Sequence, residues 1–178
     1  MAVGRAVLGY VEARDHRVMR RVNRWRAPRW FRWLMLAASR LGDGWLWAAL
    51  GIGLLADGGR ERFAAIESAG LSACAGILLF CAVKNVCHRK RPCDLAPHCW
   101  ARLRPPDEFS FPSGHTITAF AIAFSVGFFY PEMFAPLLLA AITIAISRVV
   151  LGMHFVSDVL IGAAIGTGLA CVSYHLLC

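Results

Sequence analysis

Three knots of polar residues interrupt an otherwise apolar chain. Lys84 to Arg91 encloses His88, Arg89 and Lys90; Ser113, Gly114 and His115 head the run "FPSGHTITAF" (111–120); Arg148, His154 and Asp158 punctuate the last apolar stretch. Their types suit work on a phosphate. The planar forks of Arg91 and Arg148 and the ammonium of Lys84 match phosphate oxygens. Pro112 and Ser113 precede a helix whose first backbone N–H groups have no internal partners, and Gly114 lets an anion approach that backbone closely, so the run opens as an anion cradle. Ser113 as an ordinary N-cap is compatible with this. His154 and Asp158 are four residues apart, so on a helix the carboxylate accepts a hydrogen bond from one imidazole nitrogen and leaves the other free. Such an imidazole can attack phosphorus while His115 protonates the departing alkoxide. Water then hydrolyses the phosphohistidine, and the sequence requires no metal or nucleotide for this.

Rival readings of the same residues are weaker. Arg148 and Asp158 could simply pair, but this leaves His154 and the second basic cluster unexplained. His115, His154 and Asp158 would make a three-ligand zinc centre. However, Lys84, Arg91 and Arg148 would crowd a divalent cation, whereas they favour a phosphate dianion. Ser113 as nucleophile lacks both the strand-to-helix elbow of GxSxG hydrolases and a base at local spacing.

These residues need elements to bring them together. Of the 178 residues, 58% are hydrophobic, against roughly 45–50% in soluble domains, and mean hydropathy is +0.55. The pattern predicts an all-α, polytopic transmembrane bundle. Four spans are expected at about 63–83, 115–130, 133–146 and 155–177, the middle two short and borrowing a turn from their flanks, with "YPEM" as a tight turn. Residues 31–56 are a fifth candidate. The apolar core of this stretch, 45–56, would cover only about 18 Å as a helix against a bilayer core of about 30 Å. To cross, it must draw in Asp43 and Arg40, which could pair as i,i+3 neighbours. Parity then places 84–114 and 147–154 on one side of the membrane, so their polar residues can meet. If Lys84 to Arg91 is helical, those two residues lie on one face and Pro92 stops the helix.

Nine of the nineteen Lys and Arg precede residue 34, against only Glu12 and Asp15. Residues 1–30 are expected as a basic amphipathic helix on the membrane surface, with anionic lipid headgroups as its partner, and residues 31–178 as the membrane-embedded domain. Nothing resembles a nucleic-acid reader. No cleavable signal peptide is evident. The seven cysteines form no CxxC pair; Cys93 and Cys99, bracketing a polar segment, could form a disulfide in an oxidising compartment.

"KNVCHRKRP" (84–92), "PSGH" (112–115) and "SRVVLGMHFVSD" (147–158) resemble the KxxxxxxRP, PSGH and SRxxxxxHxxxD motifs of the type 2 phosphatidic acid phosphatase superfamily, in order and with unbroken internal spacing. The resemblance implies that Lys84, Arg91, Ser113, Gly114 and Arg148 bind phosphate, that His154 is the nucleophile oriented by Asp158, and that His115 is the general acid. Many members of that superfamily have six spans, whereas the pattern here gives five or six, and no cofactor is expected. The resemblance also extends to soluble vanadate-dependent haloperoxidases, which the apolar spans argue against. The expected substrate is a membrane lipid bearing a terminal phosphate: phosphatidic acid, phosphatidylglycerol phosphate, a polyprenyl phosphate or diphosphate, or the lipid A 1-phosphate. The short chain resembles small bacterial lipid phosphatases, which implies a bacterial inner membrane. A lipid-linked phosphotransferase using the same phosphohistidine, or a non-catalytic lipid phosphate carrier, are the alternatives. If residues 31–56 cross, the N-terminus and the site share a side, which the basic helix pulls towards the cytoplasm; otherwise the site faces outwards. A Cys93–Cys99 disulfide would support the outward arrangement.

Overall fold

The computed structural model describes residues 2–57, 59–95 and 108–178. It is almost wholly helical: α1 (Ala2–Arg24), α2 (Arg29–Arg40), α3 (Leu46–Asp57), α4 (Arg62–Cys87), α5 (Pro92–Leu95), α6 (Gly114–Phe129), α7 (Pro131–Val150) and α8 (Val156–Leu177). Three of these, α4, α7 and α8, are long and apolar enough to cross a membrane on their own; α6 is apolar but has only 16 residues, about 24 Å of helix.

The short α6 is the hub. It packs against α4, α7 and α8, and Ile117, Ala119, Ala121, Ala123 and Val126 are buried. Small residues make that packing close. On α8, Gly162, Gly166 and Ala170 recur at four-residue spacing and are buried; a Cβ on Gly162 would stand 3.0 Å from the Ser113 carbonyl oxygen. Two serine pairs bridge helices in the apolar interior, Ser68 with Ser173 at 2.9 Å and Ser72 with Ser125 at 3.0 Å. Close backbones and shared hydroxyls are the usual means of joining helices where lipid removes the hydrophobic drive between them.

The doubtful stretch 31–56 does incorporate its polar residues. Helix runs from Arg29 to Asp57 through a π-helical turn, Leu41–Trp45, broken only at Gly44, whose φ of +123° suits glycine. Asp43 pairs with Arg40 at 3.7 Å, as the i,i+3 spacing suggested, and bonds His115 at one end of the bundle. Leu54 packs at the far end with Val126 and Leu137, next to Ile66. Thus α3, α4, α6, α7 and α8 pass alternately through the bundle, and α1 and α2 lie at the end where the three polar knots meet.

One expectation needs correction. Helix does not continue to Arg91: α4 ends at Cys87, His88 adopts a left-handed conformation (φ 45°, ψ 29°) as its cap, and Pro92 begins the short α5 instead of stopping a helix. An X-Pro bond disfavours the helical region for Arg91, while proline itself fits a first helical turn. α1 forms in the stretch expected to be an amphipathic helix, and its buried Asp15 accepts from the Ser157 N–H at the start of α8 at 3.1 Å. Cys99, the second member of the candidate disulfide, lies outside the described residues.

Candidate active site

His154 sits in the link between α7 and α8. The link turns tightly because Gly152 takes φ +69°, a left-handed conformation that glycine adopts without strain. The backbone N–H groups of Met153 and His154 both donate to the Arg148 carbonyl, at 3.0 and 3.1 Å. This folds the imidazole back over the end of α7. Its Nδ1 donates to the Ser110 carbonyl at 2.5 Å, which assigns the proton to Nδ1 and leaves the Nε2 lone pair available. Burial holds the imidazole well below its ordinary pKa; Asp158 opposes this, while Arg148 and Arg91 reinforce it. The ring is therefore neutral at pH 7.

Asp158 does not orient His154 in the expected way. Its Oδ2 lies 3.8 Å from Nδ1, outside hydrogen-bond range, and instead accepts the Phe155 N–H at 2.8 Å. The other oxygen accepts from Arg89 Nη1 at 2.5 Å. The Ser110 carbonyl supplies the hydrogen bond, and Asp158 supplies negative charge nearby.

Lys84, Arg91, Gly114, His115, Arg148 and His154 line one cavity of about 320 Å³, together with Asp43 and the apolar Ile77 and Phe80. Arg91, 1% exposed, donates to the Met153 carbonyl at 2.8 Å and lies 3.4 Å from His154 Nε2. Arg148 donates to Ser39 Oγ at 2.6 Å; its Nε is buried and meets no acceptor among the described residues. A buried donor left over in a cavity wall needs an acceptor, and an anion provides one. The Lys84 ammonium lies 5.2 Å from the centre of the Phe80 ring. That ring is also why residue 114 is glycine: a Cβ there would stand 3.0 Å from it. Ser113 is fully buried next to the cavity, and its hydroxyl accepts from Thr116 Oγ1 at 2.9 Å.

Of the other polar residues expected to gather here, His88 packs edge-on against Phe109, and Lys90 pairs with Phe109 through the backbone. Neither lines the cavity. Among the described residues, no three His, Cys, Asp or Glu side chains converge as metal ligands.

Several contributors escaped the sequence reading. His115 Nε2 lies 2.6 Å from Asp43 Oδ1, so the π-helical turn delivers a carboxylate to the second histidine. An ionisable residue inside an apolar helix was a signal for it, although only Arg40 suggested itself as a partner. Arg89 was among the residues expected to gather here, but its partners were not foreseen: it joins Asp158 to α1, since its Nη2 donates to Asp15 Oδ2 at 2.8 Å. Asp15 also accepts from the backbone N–H of Ser157 at 3.1 Å and from its hydroxyl. The Ser110 carbonyl, being backbone, left no mark in the side-chain pattern.

A family model described as the PAP2 superfamily matches residues 66–177. Decaprenylphosphoryl-5-phosphoribose phosphatase of Mycobacterium tuberculosis is 32% identical over 127 residues, which cover 69% of this chain and 66% of that protein; the match thus spans just under two thirds of the relative's length. Lipid A 1-phosphatase of Porphyromonas gingivalis is 43% identical over 75 residues, covering 39% of this chain and 17% of that one. Among solved structures, LpxE of Aquifex aeolicus superimposes with a TM-score of 0.76 at 28% identity, covering 89% of this chain and 93% of its own. The transmembrane PAP2 type phosphatidylglycerolphosphate phosphatase from Bacillus subtilis gives 0.72 at 26% identity, covering 94% and 86%.

Proposed function

The chain belongs to the PAP2 superfamily, and from that premise we propose that it is an integral membrane enzyme that hydrolyses a lipid phosphate or diphosphate without a metal, through a phosphohistidine on His154. The observation that carries this reading is the state of His154: neutral, with Nδ1 fixed by Ser110 and Nε2 beside Arg91 in a cavity that also holds Lys84 and Arg148.

The three cations hold the non-bridging oxygens and spread their charge. His154 Nε2 attacks phosphorus in line; the P–O bond to the lipid breaks, and its electron pair leaves with the oxygen, which takes a proton from His115. The phosphorylated imidazole keeps its Nδ1 proton and becomes cationic, and the Ser110 carbonyl and the nearby Asp158 carboxylate stabilise it. Water, deprotonated by His115, then attacks phosphorus and breaks the P–N bond. A lipid monophosphate yields phosphate and a lipid alcohol; a diphosphate yields phosphate and the lipid monophosphate. Ser113 and Gly114, at the head of α6, border the phosphate. The relatives are phosphatases of a polyprenyl-linked sugar phosphate, of lipid A and of phosphatidylglycerolphosphate, and any of these substrates presents its phosphate at headgroup level with a tail in the bilayer.

The test is phosphate release by purified protein in detergent from a panel of such lipids, with excess chelator present and His154→Ala in parallel. Chelator-resistant release that disappears in His154→Ala, with binding of the lipid phosphate retained, is expected. Release by His154→Ala near the wild-type rate would remove His154 as nucleophile. A phosphorylated acceptor in place of free phosphate would mean transfer, and binding without turnover would mean a carrier.

A further inference from the structure

The stretch "SRLGDG" (39–44) lies outside all three polar knots, yet it reaches the catalytic centre at two places. Ser39, in the last turn of α2, is buried and accepts from Arg148 Nη1 at 2.6 Å. Four residues on, Asp43 lines the cavity and lies 2.6 Å from His115 Nε2. The first contact ties the stretch to α7, the second to α6. Between them the chain widens into the π-helical turn Leu41–Trp45, a geometry that is rare within helices and frequent at functional sites. Gly42 is buried in that turn, where a Cβ would stand 2.9 Å from Ile144 Cγ2 and 3.4 Å from His115 Cδ2. A side chain at this position would push the turn off the histidine ring.

What Ser39 does to Arg148 follows from the shape of a guanidinium. The group is planar and carries its N–H donors in a rigid fork, so the direction in which it donates is set by how the plane is turned. A buried hydroxyl on Nη1 fixes that plane. Arg148 lines the cavity, and its Nε stays buried with no acceptor among the described residues, a donor held ready for an anion.

We propose that residues 39–44 are a fourth part of the site, in which Ser39 positions Arg148 for the phosphate and Asp43, seated by Gly42, positions His115 for the leaving oxygen. The inference rests on the phosphatase reading above and deepens it: one turn sets the phosphate-holding group and the proton-donating group relative to each other. Both are positioning residues, since each acts through another side chain, and they act on different events. Ser39 governs how tightly phosphate is held, whatever alcohol carries it. Asp43 governs the proton that the departing alcohol needs.

The test reads two quantities on the full-length protein in detergent: the dissociation constant of inorganic phosphate, by titration calorimetry, and kcat on an alkyl phosphate. Ser39→Ala is expected to weaken phosphate binding about tenfold. In an Arg148→Lys background, where the fork is already lost, the same substitution is expected to weaken it no further. Asp43→Asn is expected to lower kcat while binding phosphate at least as tightly as wild type, because it removes a negative charge from the cavity wall. Unchanged phosphate affinity in Ser39→Ala, an equal loss in both backgrounds, or unchanged kcat in Asp43→Asn overturns the proposal. Should Ser39→Ala fail to fold, as judged by its melting temperature, Ser39→Cys, whose thiol accepts only weakly, must weaken phosphate binding in its place, or the proposal fails. Calorimetry needs no turnover, so the two readings fail separately: phosphate release by His154→Ala near the wild-type rate would sink the phosphohistidine reading, whereas unmoved phosphate affinity in Ser39→Ala sinks the fourth part of the site alone.

Discussion

On the proposed mechanism the nitrogen that attacks phosphorus must arrive without a proton, and His154 is held neutral first by burial, then by the nearby charges of Arg148 and Arg91, against the pull of Asp158. The native imidazole therefore takes up its proton at a lower pH than the ordinary value near 6.5. The unfolded chain binds that proton first, so His154's contribution to stability is intact above about pH 6.5. It is lost as pH falls towards the depressed native value, at up to ~1.4 kcal/mol per pH unit. Thermal unfolding at pH 7 and pH 5 should show a larger fall for wild type than for His154→Asn. Asp43 calls for a different experiment. On the same mechanism His115 is the proton donor and Asp43, its partner, positions it, so Asp43→Asn should lower kcat roughly tenfold to a hundredfold on an alkyl phosphate. On p-nitrophenyl phosphate, whose leaving group departs without a proton, the loss should be much smaller; equal losses would make Asp43 merely structural. That Lys84, Arg91, Arg148 and both histidines share one cavity was legible from residue type and spacing, because few sets of side chains suit a phosphate dianion. The Ser110 carbonyl was not legible, since every residue carries one and only the fold selects which of them meets His154.

Helices were the more readable level, because long apolar runs in lipid have few alternatives to helix. The boundaries of α4, α7 and α8 stand within a few residues of expectation. The unread parts are junctions. Where α4 ends depends on a left-handed His88 and on Pro92 beginning a turn, and a KxxxxxxRP spacing fits both a continuous helix and this broken one. Likewise the docking of α1 depends on Asp15, which the sequence offers only as one acid among many arginines. Contacts between elements make sharper predictions. A Cβ on Gly76 would run into the fully buried Ile117, so Gly76→Leu should part α4 from α6 and cost about 1–3 kcal/mol, seen as a lower melting temperature in detergent. Asp15→Asn should loosen Arg89 on Asp158 and lower kcat about tenfold while leaving the melting temperature close to wild type. A large fall in melting temperature with unchanged kcat per folded molecule would confine Asp15 to holding α1 in place.

For the molecule as a whole, parity puts α1, α2 and the catalytic cavity at the same end. Cysteines placed at Arg17 and Glu108 in a cysteine-free background should therefore react with a membrane-impermeant maleimide from the same face; labelling from opposite faces would break the five-pass arrangement. That end also holds a contact between residues far apart in the chain: Asp15 of the first helix bonds Ser157 at the head of the last, 142 positions later. Until α8 has threaded, a growing chain carries Lys84, Arg91 and Arg148 without the carboxylate of Asp158 beside them. On the proposed mechanism the centre is thus assembled late in synthesis: a ribosome-stalled chain ending near residue 150 would contain all three cations but neither His154 nor Asp158, so an unfinished copy would not strip phosphate from the membrane into which it is being inserted.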